Sequence, residues 1–166
     1  MKKVFVFVML LSAGIVLSSF LENRKTVDEI PYPAGYRTWV HVKTKLVGPG
    51  NPNFRINGGY HHIYANAKAM EGYRSGYFPD GAVLVFDVLD IMEQGGNTQE
   101  GNRKRLDVMV KDSLKYPATG GWGYEEFNGD SHTERSLTPA ARMQCFNAIS
   151  KRMIMYLVNS GSKINL

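Results

Sequence analysis

The chain holds four histidines and one cysteine, and metal or covalent cofactor chemistry would have to start from these side chains. His61 and His62 stand side by side in YHHIYAN (60–66), a β-favouring stretch. Neighbouring side chains on a strand point to opposite faces, so this pair could share one ion only across a bulge. No second pair stands at ligand spacing, and a shared metal site at His61-His62 is not expected. His41 and His132 are isolated in the sequence and are read as exposed or core histidines. Cys145 lies in ARMQCFNAIS (141–150). One cysteine cannot form an internal disulfide. In an oxidising compartment its thiol is buried, bridged to another chain, or bonded to a cofactor. The patterns G-x-S-x-G, H-E-x-x-H, Walker A and the dinucleotide fingerprint are missing. TGGWG (119–123) reads equally as a tight turn against a ligand and as a packing corner, and no catalytic residue is assigned.

The elements that must position these residues are short. VDEIPYPAGY (27–36), with two prolines and a glycine, is an irregular lead-in. YRTWVHVKTKLV (36–47) alternates like a strand, while Tyr36, Trp39, Val40 and Lys43 would also make a helix face. GPGNPNFRINGG (48–59) is a loop by composition. Asn66 is placed to cap a short helix through AKAMEGYR, its side-chain oxygen accepting from a free N–H of the first turn. FPDG (78–81) is a turn signal. AVLVFDVLD (82–90) is a nearly continuous apolar strand and the expected centre of the core, and QGGNTQEGN (94–102) reads as a loop. In KRLDVMVKD (104–112), Leu106, Val108 and Val110 alternate with Arg105, Asp107, Met109 and Lys111, the pattern of a half-buried strand. TGGWGYEEF bends on glycines and then extends. Thr138-Pro139 opens a last helix, with threonine as cap and proline at the first helical position. The expected fold class is α+β, a mainly antiparallel β-sheet domain with a few short helices and no internal repeat.

With 166 residues the chain is long enough for one domain with a substantial core. Met1-Lys2-Lys3 followed by VFVFVMLLSAGIVLSSFL is a charged start and an apolar run. It reads as a secretory signal over 1–20, with Ser18 and Ser19 near the cleavage point. The run 4–21 is also close to the length of a membrane span, so an uncleaved anchor is the alternative. The protein is therefore expected to be exported, periplasmic or membrane-anchored, with a single domain over 27–166. Removing Lys2 and Lys3 lowers the formal charge from +5 to +3. That charge is spread thinly; NRKR (102–105) reads as a solvated loop, and a nucleic-acid partner is not expected.

In this order, GGYHHIYANAKAMEGYRSGYFPDGAVLVFDVLD (58–90), RLDVMVKDS (105–113), ATGGWGYEEFNGDS (118–131) and the closing Cys145-Phe146 resemble the cytochrome P-460 family. The resemblance runs from about Tyr36 to Cys145. It implies an exported, mostly β homodimer carrying one covalent c-type haem, which oxidises hydroxylamine or binds nitric oxide. It also implies a small nitrogen-containing ligand and an electron-transfer partner. Some members bond the haem to a lysine, and no motif selects among Lys43, Lys68, Lys104, Lys111 and Lys115. The family closes with C-x-x-C-H, two thiols for the haem vinyls and a histidine for the iron. Cys145 stands at the first thiol, whereas Ala148 and Ile149 hold the positions of the second thiol and the axial histidine. As written, the chain provides no cofactor site beyond Cys145.

One base explains the departure. Read from the last base of the Asn147 codon, suitable synonymous codons for Asn147 to Ser162 give C-H-I-E-K-N-D-Y-V-F-S-K-F-R and a stop. This restores C-F-x-C-H and the D-Y-V-F stretch that usually follows in the family. The match depends partly on codon choice. Met153-Ile154 nevertheless forces the aspartate, and Met155-Tyr156 forces the valine. Residues 148–166 are accordingly read as a frameshifted tail. The alternative is a natural terminus on a haem-free relative that binds a small ligand without enzymatic activity.

Overall fold

Residues 84–89, Leu-Val-Phe-Asp-Val-Leu, are all buried, and the fold follows from covering both sides of them. In a computed structural model, which describes residues 29–138 together with 140 and 141, they form the middle of β3 (Val83–Gln94). Around it lie β1 (Val40–Val47), β2 (Gly59–Ala65), β4 (Asn97–Lys111) and β5 (Trp122–Asn128). Among the described residues these make one sheet in the order β1-β2-β3-β4-β5, each neighbouring pair antiparallel. Two short helices, α1 (Phe54–Asn57) and α2 (Ala67–Ser75), complete an α+β, mainly antiparallel architecture. The leader 1–20, Cys145 and the tail 148–166 lie outside the described residues. No helix among the described residues is long and apolar enough to cross a membrane.

Successive β3 side chains point to opposite faces and feed two cores. Leu84 and Phe86 join Ala69, Met70 and Tyr73 of α2 with Phe78, Met109 and Trp122. Val85 joins Ile30, Tyr36, Leu106, Val108 and Phe127 on the other face, under the lead-in. Each such side chain, fully buried, contributes roughly 1.5–3 kcal/mol. Double coverage also corrects the half-buried reading of β4. Met109 and Lys111, expected outward, are buried like Leu106 and Val108, whereas Val110, expected inward, is only partly buried. Where helix covers one face and lead-in the other, alternation no longer separates inside from outside.

Asn66 caps α2 as expected: its Oδ1 accepts from Ala69 N–H at 2.8 Å and from Val83 N–H at 3.0 Å, while Nδ2 donates to the Gly81 carbonyl. One side chain thus ties the helix start to the FPDG turn and the first residue of β3. Residues 36–47 divide into a 3-10 turn, Tyr36–Thr38, and β1. Residues 48–59, expected as loop, contain the single turn of α1. QGGNTQEGN is not a loop either. Only Gly95 and Gly96 turn, at φ 59° and 79°, the left-handed pair that a two-residue hairpin requires. Its Asn, Thr, Gln and Glu residues are exposed, yet Gln94 pairs with Asn97 and Glu93 with Thr98. The ladder continues there on backbone bonds under polar side chains. At the far end, Thr138 Oγ1 accepts from Ala141 N–H at 3.2 Å, the start of the helix expected at that position.

Candidate functional site

The polar residue inside β3 organises one face of the sheet. Asp87 is fully buried. It accepts from Tyr36 Oη at 2.6 Å, Arg103 Nε at 2.6 Å and Arg37 Nη2 at 2.8 Å. Burial by itself would raise its carboxyl, but the bonds from Arg103, Tyr36 and Arg37 outweigh it and hold the group below the ordinary carboxylate range. The same contact, with burial leading, pushes the Tyr36 phenol up. Arg103 also pairs with Asp130, and His132 stacks on Tyr32 at 3.8 Å between centroids. This network fixes the lead-in to the sheet; its charges are already matched, so it is a support rather than a reacting group.

Beside it, Arg37, His41, Thr44, His62, Tyr64 and Glu100 line an open cleft of about 350 Å³. The register explains how they meet. His41 pairs with Tyr64 and Lys43 with Ile63, so the ladder slips between them and Val42 is left over as a bulge. Beyond the slip, Thr44 pairs with His62. The extra residue brings His41 and Thr44, which simple alternation puts on opposite faces, to one side. Thr44 Oγ1 lies 2.9 Å from His41 Nε2 and 2.8 Å from His62 Nδ1. Glu100 Oε1 lies 2.8 Å from the other His62 nitrogen, Nε2. His41 is exposed, as one of the two expected readings had it, yet not alone, and it is the bulge that sequence patterning misses. His61 faces away, with its Nε2 at 2.8 Å from the Asn57 carbonyl, and burial lowers its pKa.

On the opposite face Asp107 pairs across the strands with Glu126. Arg105 Nε donates to Asp107 at 3.0 Å and lies 3.5 Å from Glu126. Burial pushes Asp107 up to about 7, with the Arg105 guanidinium opposing and the Glu126 carboxylate assisting. Ser136 Oγ donates to Glu126, so the carboxyl pair also holds the segment that leads into the last helix. Asp107 is placed to hold a proton near neutral pH.

Among the described residues, no three or more His, Cys, Asp or Glu side chains are grouped to hold a metal ion. The candidate lysines are dispersed: Lys111 Nζ donates to the Gly120 carbonyl at 2.8 Å, Lys68 pairs with Glu71, and Lys104 with Asp90. Cys145, the site residue singled out in the sequence, lies outside the described residues.

A family model described as cytochrome P460 matches residues 33–156. No curated protein matches the chain significantly. The donors of this chain do not fit a c-type haem: it has one cysteine, and its four histidines all precede Cys145 rather than following it at C-x-x-C-H spacing.

Proposed function

The chain belongs to the cytochrome P460 family, a family of haem proteins, and on that premise we propose that its intact gene encodes an exported, periplasmic c-type haem protein. Its substrate or ligand is hydroxylamine or nitric oxide, and it works as a homodimer with a separate electron acceptor. One resemblance carries this reading: Cys145 falls where the first thiol of C-x-x-C-H is expected, and a shifted frame after Phe146 would supply the second thiol and the histidine. The haem would supply the redox chemistry, while the protein sets its ligand, polarity and access. Among the described residues, the sheet and its two cores lie before residue 138.

As written, Ala148 and Ile149 leave the attachment incomplete. A haem-free domain that binds a small planar or apolar molecule is the second reading, and the single cysteine favours it. Resequencing codons 145–151, together with expression of both forms alongside c-type haem maturation enzymes, separates the two. The haem reading expects one extra base in the gene, and a Soret band that survives denaturation only in the restored chain. If the restored chain carries no covalent haem, the haem reading fails. If the bases stand as written, the haem-free reading holds for this protein.

A further inference from the structure

Two imidazole nitrogens converge on one point in the cleft. His41 Nε2 and His62 Nδ1 both lie within 2.9 Å of Thr44 Oγ1. We infer that His41 and His62 form a binding site for a divalent late transition-metal ion, Cu²⁺ or Zn²⁺, with the Glu100 carboxylate alongside it.

The chemistry of each group supports this. Imidazole favours copper and zinc among the first-row ions, with copper bound more tightly. Glu100 Oε1 stands 2.8 Å from His62 Nε2, on the side of the ring away from Thr44. The His62 side chain is 13% exposed and Glu100 52%, so one imidazole is held and the carboxylate remains hydrated. His41 is exposed on the edge strand. It can close on an ion at about 2.0–2.1 Å from each nitrogen, with the Thr44 hydroxyl and water as further donors. Among the described residues that line the cleft, the one cation, Arg37, is already paired with Asp87, and Tyr64 is the other titratable neighbour. With two protein nitrogens, the site is an open one, distinct from the closed four-ligand sites that hold structural zinc.

The test uses the full, tag-free chain titrated with Zn²⁺ alone and with Cu²⁺ alone by calorimetry at pH 7.5. A Cys145→Ser background removes the competing thiol. One ion per chain is expected, copper tighter than zinc, with affinity falling on acidification because protons compete with the metal for the imidazole nitrogens. His41→Ala and His62→Ala should each abolish saturable binding. His61→Ala and His132→Ala should leave it unchanged. Circular dichroism on each variant confirms that its fold is retained; for any that unfolds, His→Gln replaces His→Ala. Absence of saturable binding in the Cys145→Ser chain overturns the inference, as does binding that survives loss of either His41 or His62.

Discussion

Replacing Asp87 with alanine removes the acceptor for three buried or half-buried donors at once. Of these, Arg103 suffers most: its side chain is 10% exposed, against 56% for Arg37, so Arg37 can turn to water and Arg103 cannot. Removing one partner of a buried ion pair costs about 3–5 kcal/mol. The remaining Arg103–Asp130 contact, with Asp130 83% exposed, and the exposure of Arg37 place the expected loss near the lower end, about 3 kcal/mol. For a domain of this size that lowers the melting temperature by roughly 10 °C. The effect should depend on pH. The folded carboxyl lies below its unfolded value, so its contribution is fully present above the unfolded pKa, about 3.9, and is lost as pH falls through the folded one. Urea unfolding at pH 7 and at pH 3 checks both parts. Asp87→Asn should be markedly less stable than the parent at pH 7 and close to it at low pH. Replacing Asp87 with Leu together with Arg103→Met should recover much of the loss, because an apolar pair leaves no buried charge. A loss below about 1 kcal/mol for Asp87→Ala, or a gap that does not narrow on acidification, would refute this account of the network.

Three further outcomes follow from the same geometry. Asp107 is raised to about 7 in the folded chain, so its protonated form favours folding below the unfolded pKa and that advantage disappears as pH rises through 7. Asp107→Asn should therefore be nearly neutral at pH 4 and stabilising at pH 8. The gain is about 1–2 kcal/mol once its 31% exposure is allowed for, and equal effects in denaturant melts at both pH values would contradict it. Asn66→Ala removes the α2 cap and leaves Val83 N–H and the Gly81 carbonyl without their partner. It should cost about 2 kcal/mol by thermal melting, more than a simple cap. Gly72→Ala should destabilise despite a helix-propensity gain of about 1 kcal/mol, because a Cβ there would stand 2.3 Å from the Phe78 ring. The net loss of about 1 kcal/mol should shrink when Phe78→Leu is introduced beside it, measured as a double-mutant cycle.

Much of this protein was legible along the chain because its signals are local. Asn66 capping a helix, FPDG turning, glycines bending before Trp122 and the apolar run at β3 each depend on residues within a few positions of one another. The order of those pieces is what carried the family resemblance. The hairpin tip was hidden because its side chains are polar on both faces, although Gly95 and Gly96 held the clue. Burial of Met109 was hidden because the helix that covers its face lies far away in sequence, whereas Lys111 is enclosed by the loop that follows it, at Ser113, Gly120 and Trp122. The cleft was decided by tertiary structure alone. Alternation separates His41 from Thr44, and adjacency couples His61 to His62. One unpaired residue, Val42, reverses the parity of β1, and pairing with β2 then sets His41, Thr44 and His62 on one face, while the long β3–β4 hairpin brings Glu100 to them from 38 positions beyond His62. A sequence states which side chains a strand carries. A shift of one residue in pairing decides which of them meet, and that shift is fixed only when the whole sheet is assembled.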